Sequence, residues 1–299
     1  MGSDGGRDVP ASVPARSSGA GGVPAFVPAG VALAWAALLL AQLVGAPMSH
    51  DELAGGSLPL PAAVGIFGAG WLLMVAAMML PSSYPILRAF TATAAGRPGR
   101  RDRPGHPAVP DRPGGGDVAR FLGGRATRPV PRRAITVARF LGGYVAVWTV
   151  FGLALFAGDL GLHALVDGSA QPFATHTTLL GNALLIAGAF QLTDRKRRCL
   201  GRCRHPEEFL RRHGRLAAPA PAAAAPAGAF RLGREYGVHC LGSCWALMLA
   251  VFALGKPEIL WMAVFGAVML YEKVGRQGLV VARLAGAALL AGSLAATFW

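Results

Sequence analysis

The sequence has few charges for its length. Of 299 residues only 15% are Asp, Glu, Lys or Arg, against 53% hydrophobic. A soluble domain carries about 25% charged residues, so the composition argues against an ordinary soluble fold. Lysine is scarce as well: Lys196, Lys256 and Lys273 are the only three among 29 basic residues. With so much Ala, Gly and Pro, the arginine excess reads as a GC-rich genome rather than as arginine chemistry. There is no phosphate-cradling glycine loop and no nucleophile elbow, which removes the commonest nucleotide-binding and hydrolase readings. No apolar segment holds a row of acids of the kind proton-driven carriers use. An enzyme is therefore not the favoured class, and no catalytic residue stands out.

What is present is alternation. Seven apolar segments run at about 24–46, 61–81, 137–157, 174–192, 238–256, 258–273 and 278–298. A helix needs about 20 apolar residues to cross a bilayer core, and backbone groups in lipid must be satisfied within the segment. The expected fold class is all-α, a polytopic transmembrane helix bundle of about seven spans over 24–299, behind a disordered cytoplasmic tail at 1–23. The fifth and sixth segments are short and could form a re-entrant hairpin. Val44-Gly45-Ala46 loosely resembles a cleavage site, so removal of the first span as a signal is an alternative.

Charge sets the orientation. The tail carries Arg7 and Arg16, the stretch 82–139 twelve Arg, and 193–237 ten Arg with Lys196. The intervening 47–60 and 158–173 carry none, only acids such as Asp51, Glu52, Asp159 and Asp167. Of the 29 basic residues, 27 fall on alternate sides of seven spans. The positive-inside rule then predicts a multi-pass cell-membrane protein with the N-terminus in the cytoplasm and the C-terminus outside. Nucleic-acid binding, the first reading of a net charge of +14, predicts no such alternation; the expected partners are the lipid bilayer and a metal chaperone or other protein at the cytoplasmic face. The Arg/Pro/Gly-rich loop 91–136 should be disordered; its Val118–Gly124 heptad recurs at Val137–Gly143 as a local duplication. The Ala/Pro-rich 216–230 reads as a linker.

The four cysteines form two matching pairs, Cys199-Leu-Gly-Arg-Cys203 and Cys240-Leu-Gly-Ser-Cys244, flanking the cytoplasmic loop 193–237. That compartment is reducing, so thiols are expected. A helix puts residues four apart on one face, so each pair could aim two sulfurs one way. His205 follows the first pair and His239 precedes the second. Such a set suits a soft or borderline metal, copper(I) or zinc. The competing reading is that each pair is small packing residues, since free Cys behaves as a small hydrophobe. Met248 continues Cys240 and Cys244 at i+4, and Met78 is expected at similar shallow depth, as is Met269; a thioether path is one reading and gap filling the other. The stretch 205–214 reads as a short helix begun by Pro206 and stopped by Gly214, with Phe209 and Leu210 dipping into the lipid interface. Glu272 is expected to pair with Lys273 or a loop arginine.

The segment from Trp71 to Ser83, Phe190-Gln-Leu-Thr193 with Lys196, Cys199, Cys203 and Arg204, the run from Gly237 to Trp245, and Trp261-Met262 with Glu272-Lys273 together resemble a bacterial family of predicted metal-binding integral membrane proteins of unknown function. Members of that family often carry two adjacent cysteines before the tryptophan. Here the first of these is Ser243. The expected function is binding of a soft metal, copper favoured, at the cytoplasmic face for transport, delivery or sensing. The alternatives are a membrane thiol-disulfide oxidoreductase and a non-catalytic scaffold or accessory subunit.

Overall fold

The computed structural model describes residues 23–45, 53, 58–94, 130–167, 176–216, 226–254 and 259–298. Most of the tail and of the 91–136 loop, the linker after Leu216, Asp51 and Glu52, the first copy of the heptad and the 255–258 link lie outside them. Ten helices make up the described chain, with no strand among those residues. They are α1 (Phe26–Leu43), α2 (Leu60–Ser82), α3 (Tyr84–Ala94), α4 (Val130–Asp167), α5 (His176–Gln191), α6 (Asp194–Arg204), α7 (Pro206–Leu216), α8 (Pro226–Ala253), α9 (Ile259–Val274) and α10 (Gly278–Phe298).

The all-α class is as expected; the number of spans is not. Among the described residues five helices are long and apolar enough to cross a membrane: Phe26–Leu43, Leu60–Ser82, Ala134–Leu165, Gly228–Ala253 and Gly278–Ala296. The other two expected spans, α5 and α9, have 16 residues each, about 24 Å at 1.5 Å per residue, short of a hydrocarbon core of about 30 Å. By contrast α4, at 38 residues, overshoots its expected bounds at both ends.

The cysteine-flanked segment is a second correction. The expected loop 193–237 is largely helical, holding α6, α7 and the first turns of α8. Thr193 separates α6 from α5: its extended backbone ends one helix, and its hydroxyl accepts from the Lys196 amide at 3.2 Å to cap the next. Cys199 and Cys203 therefore sit on a separate helix rather than at the end of α5. Cys240 and Cys244 lie in the middle of α8 rather than at its start.

Glycine sets how closely the central helices approach. α4 crosses α8 at Gly143 and Gly233, where an added Cβ on either would collide with a carbonyl oxygen of the other helix, from Phe230 and Phe140 respectively. With Gly237, Gly233 makes a Gly-x3-Gly face, the pattern that lets helix backbones touch. Trp71 on α2 closes the next layer, donating from Nε1 to the Trp148 carbonyl at 2.8 Å. Phe67 stacks on Phe156 with centroids 4.5 Å apart. α10 lies along α5, α1 and α9 along α2, and α6 along α8.

The outer helices keep apolar side chains uncovered. Leu33, Leu40 and Leu43 on α1 and Leu284 and Leu294 on α10 are all exposed. Conversely, the amphipathic α7 is covered by protein. Phe209 and Leu210 are buried, and Phe209 packs edge-on against Tyr236 of α8. Its apolar face is thus filled from within the bundle, not by the lipid interface expected for it.

Candidate metal centre

The polar residues within the apolar sequence converge at one end of the bundle. Charged side chains withdrawn from solvent are costly unless paired, and among the described residues only Lys196, Glu272 and Lys273 are both charged and buried. Lys196 of α6 donates to Glu272 Oε2 at 2.6 Å, and Gln191 Nε2 at the end of α5 donates to Glu272 Oε1 at 2.8 Å. The side-chain amide oxygen of Gln191, Oε1, is buried without a hydrogen-bond partner among the described residues. The Glu272 contact is an ion pair, as expected, but with Lys196 rather than Lys273 or an arginine. Arg204 closes the helix end below it, donating to the carbonyls of Glu272 and Gly275 at 2.5 and 2.8 Å; these are carbonyls a helix C-terminus leaves free.

The adjacent Lys273 turns the other way. Its Nζ donates to Cys240 Sγ at 2.9 Å and to Ser82 Oγ, at the end of α2, at 3.0 Å. Tyr144 of α4 completes the surroundings of Cys240, its hydroxyl 3.0 Å from the same sulfur. Ser243 donates back to the Cys240 carbonyl at 2.8 Å and lies 3.3 Å from Cys244 Sγ.

The two cysteine pairs face each other across the α6–α8 contact. Cys199 Sγ rests against the bare backbone of Gly242, where a Cβ would come within 2.9 Å of it. Cys203, one turn on, lies near Ser243, Cys244 and Lys273. Cys240 and Cys244 lie one helical turn apart on α8. All four are free thiols, and three are buried. Burial pushes the Cys203 thiol up to about 11, with Lys273 opposing the shift. Although the pairs adjoin, no three His, Cys, Asp or Glu side chains among the described residues are grouped to hold an ion together.

The remaining predicted residues lie around this centre. His239 precedes Cys240 but points toward α7, with its ring 5.7 Å from that of Phe209 and 5.7 Å from that of His213. His205 is exposed on the wall of a cavity of about 220 Å³, beside Arg198, Arg202 and His213. Neither histidine is drawn in among the sulfurs. Met248 and Met78 are fully buried; Met78 packs on α9 beside Gly266. Lys273 and Tyr144, which touch Cys240 directly, were not picked out as site residues. The available signal was polarity: a lysine ending an apolar helix is a site candidate by default.

Three buried thiols and one half-buried thiol thus adjoin where α6 meets α8 in an all-α chain with long apolar helices. A family model described as copper chaperone (PpoB2) matches residues 118–296, and the chain belongs to that family. No curated protein and no solved structure matches it.

Proposed function

We propose that this protein receives copper as Cu(I) on two thiols at a time from the set Cys199, Cys203, Cys240 and Cys244, at the cytoplasmic end of a multi-pass membrane bundle, and passes it to a protein partner. The observation that carries the reading is the meeting of the two C-x3-C pairs across α6 and α8, with Lys273 donating to Cys240 at 2.9 Å. Thiolates select soft ions, and Cu(I) is content with two sulfurs. Zinc in a structural site takes four ligands; the described side chains offer no group of three, so the donor set favours copper. The family description points the same way.

A membrane location is supported by the five long apolar helices and by the exposed leucines of α1 and α10. The cytoplasmic orientation rests on the arginines of α6 and α7, which share the cysteine end of the bundle with Lys196 and Lys273. On this reading His205 and His239 lie on the solvent side of the thiols, where an ion would arrive. Met248 and Met78 lie deeper, as thioether ligands on the inward side.

The test is copper per protein after anaerobic loading with Cu(I), for wild type, Cys240→Ser and Cys244→Ser, with folding followed by thermal melting. Ser keeps nearly the volume of Cys but is a hard, neutral donor. Loss of copper in folded variants supports the reading. Wild-type copper in both defeats it. A reporter inserted near residue 220 should report cytoplasm.

A further inference from the structure

The two buried lysines at this end of the bundle have partners of different kinds. Lys196 and Glu272 satisfy one another at 2.6 Å. Lys273 is equally withdrawn from solvent, yet its Nζ meets only neutral Ser82 Oγ and the sulfur of Cys240. Arg204 of α6 is spent on the carbonyls of Glu272 and Gly275. Among the described residues no carboxylate faces Lys273. Of the two groups that accept from Lys273, only the Cys240 sulfur, a candidate ligand atom, can carry a negative charge.

We propose that Lys273 makes this site selective for a monovalent soft ion by supplying the one counter-charge such a complex needs. A monovalent ion on two thiolates is a monoanion, and the ammonium neutralises it. A divalent ion on the same two thiolates is neutral and leaves the ammonium uncompensated in the interior. Coulomb energies grow steeply as the dielectric falls, so the charge-matched complex gains most where burial is deepest. Ser82 and the chain direction of α9 hold the ammonium against Cys240. Lys196 cannot substitute, because Glu272 already occupies it. This inference rests on the proposed thiol site and adds to it the residue that sets which charge the site accepts.

The experiment measures affinities for Cu(I), Ag(I) and Zn(II) by competition with chelators, in wild type, Lys273→Met, Lys273→Gln, Lys273→Arg and Cys240→Ser, each shown folded by melting. Lys273→Met and Lys273→Gln should lose affinity for Cu(I) and Ag(I) by on the order of tenfold or more, with Zn(II) affinity unchanged or raised. Lys273→Arg, which keeps the charge, should retain the wild-type ratio of monovalent to divalent binding. The Gln variant keeps a polar contact for Ser82, so it tests charge even where Met disturbs the fold. An unchanged ratio in both neutral variants overturns the role of Lys273 while Cys240→Ser still loses copper. An equal loss in Lys273→Arg makes the residue a matter of shape and overturns it too. Wild-type Cu(I) affinity in Cys240→Ser would instead overturn the thiol site itself.

Discussion

Lys196 and Glu272 meet at 2.6 Å with almost no solvent on either side chain, although 76 residues separate them. Their contact ties α6 to the end of α9, and Gln191 ties the end of α5 to the same carboxylate at 2.8 Å. The neighbouring Lys273 joins α9 to α8 and α2. The thiol centre is thus framed by five helices through hydrogen bonds to two consecutive residues.

Breaking the buried pair should cost far more than a surface ion pair. Removing one member leaves its partner charged and uncompensated, a loss of about 3–5 kcal/mol. Lys196→Met and Glu272→Gln are each expected to lower the melting temperature of the detergent-solubilised protein sharply. The double variant should recover much of the loss, because two buried neutral groups replace an orphaned charge. Additive losses in the double-mutant cycle would show that the two residues act separately.

The α4–α8 crossing gives a prediction independent of the metal. A Cβ at Gly233 would strike the Phe140 carbonyl, and one at Gly143 the Phe230 carbonyl. Backbone cannot step aside as a side-chain tip can, so Gly233→Ala should destabilise by at least the 1–3 kcal/mol typical of overpacking. Gly68 on α2 meets nothing within 4 Å. There Ala should be neutral or stabilising by up to about 1 kcal/mol, from helix propensity alone. Thermal melts of the two variants side by side decide it; equal effects would mean the crossing is not close-packed.

The helices were legible in the sequence because a long apolar run has one stable form in lipid. Boundaries were less so. The span 137–157 stops short of Arg132 and Arg133, yet α4 starts at Val130 and carries both in its first turn, since arginine is a good helix former. The end of α5 near residue 192 was legible; the helix that starts directly after it was not, because Thr is an ambiguous start signal until its cap bond is seen. The cysteine pairs were visible as a repeated spacing and do adjoin. The partners of Cys240 were not, because Lys273 lies 33 residues away and Tyr144 96, and such pairings depend on how helices cross. His239 illustrates the converse: sequence adjacency to Cys240 suggested a ligand, but consecutive helical residues point about 100° apart, and its ring turns to Phe209 and His213.

Cys203 offers a reading of the same site by pH. Burial raises its thiol to about 11, from an ordinary value of 9.0, and only the thiolate is nucleophilic. Its rate of alkylation, followed by mass spectrometry of the metal-free protein, should therefore keep rising about tenfold per pH unit between pH 9 and 10. An unperturbed thiol would already be levelling off in that range, since most of it is thiolate above pH 9. A plateau by pH 9.5 would mean that Cys203 is better solvated, or closer to the Lys273 charge, than its burial implies. Metal binding requires the thiolate, so a ligand with a raised value loses its proton to solvent as the ion takes its place on the sulfur. Loading with Cu(I) should accordingly release protons and suppress Cys203 alkylation across the whole range. If Cys203 labels equally well with and without copper while Cys240 is protected, the site is built on the α8 pair alone, with α6 as its cover.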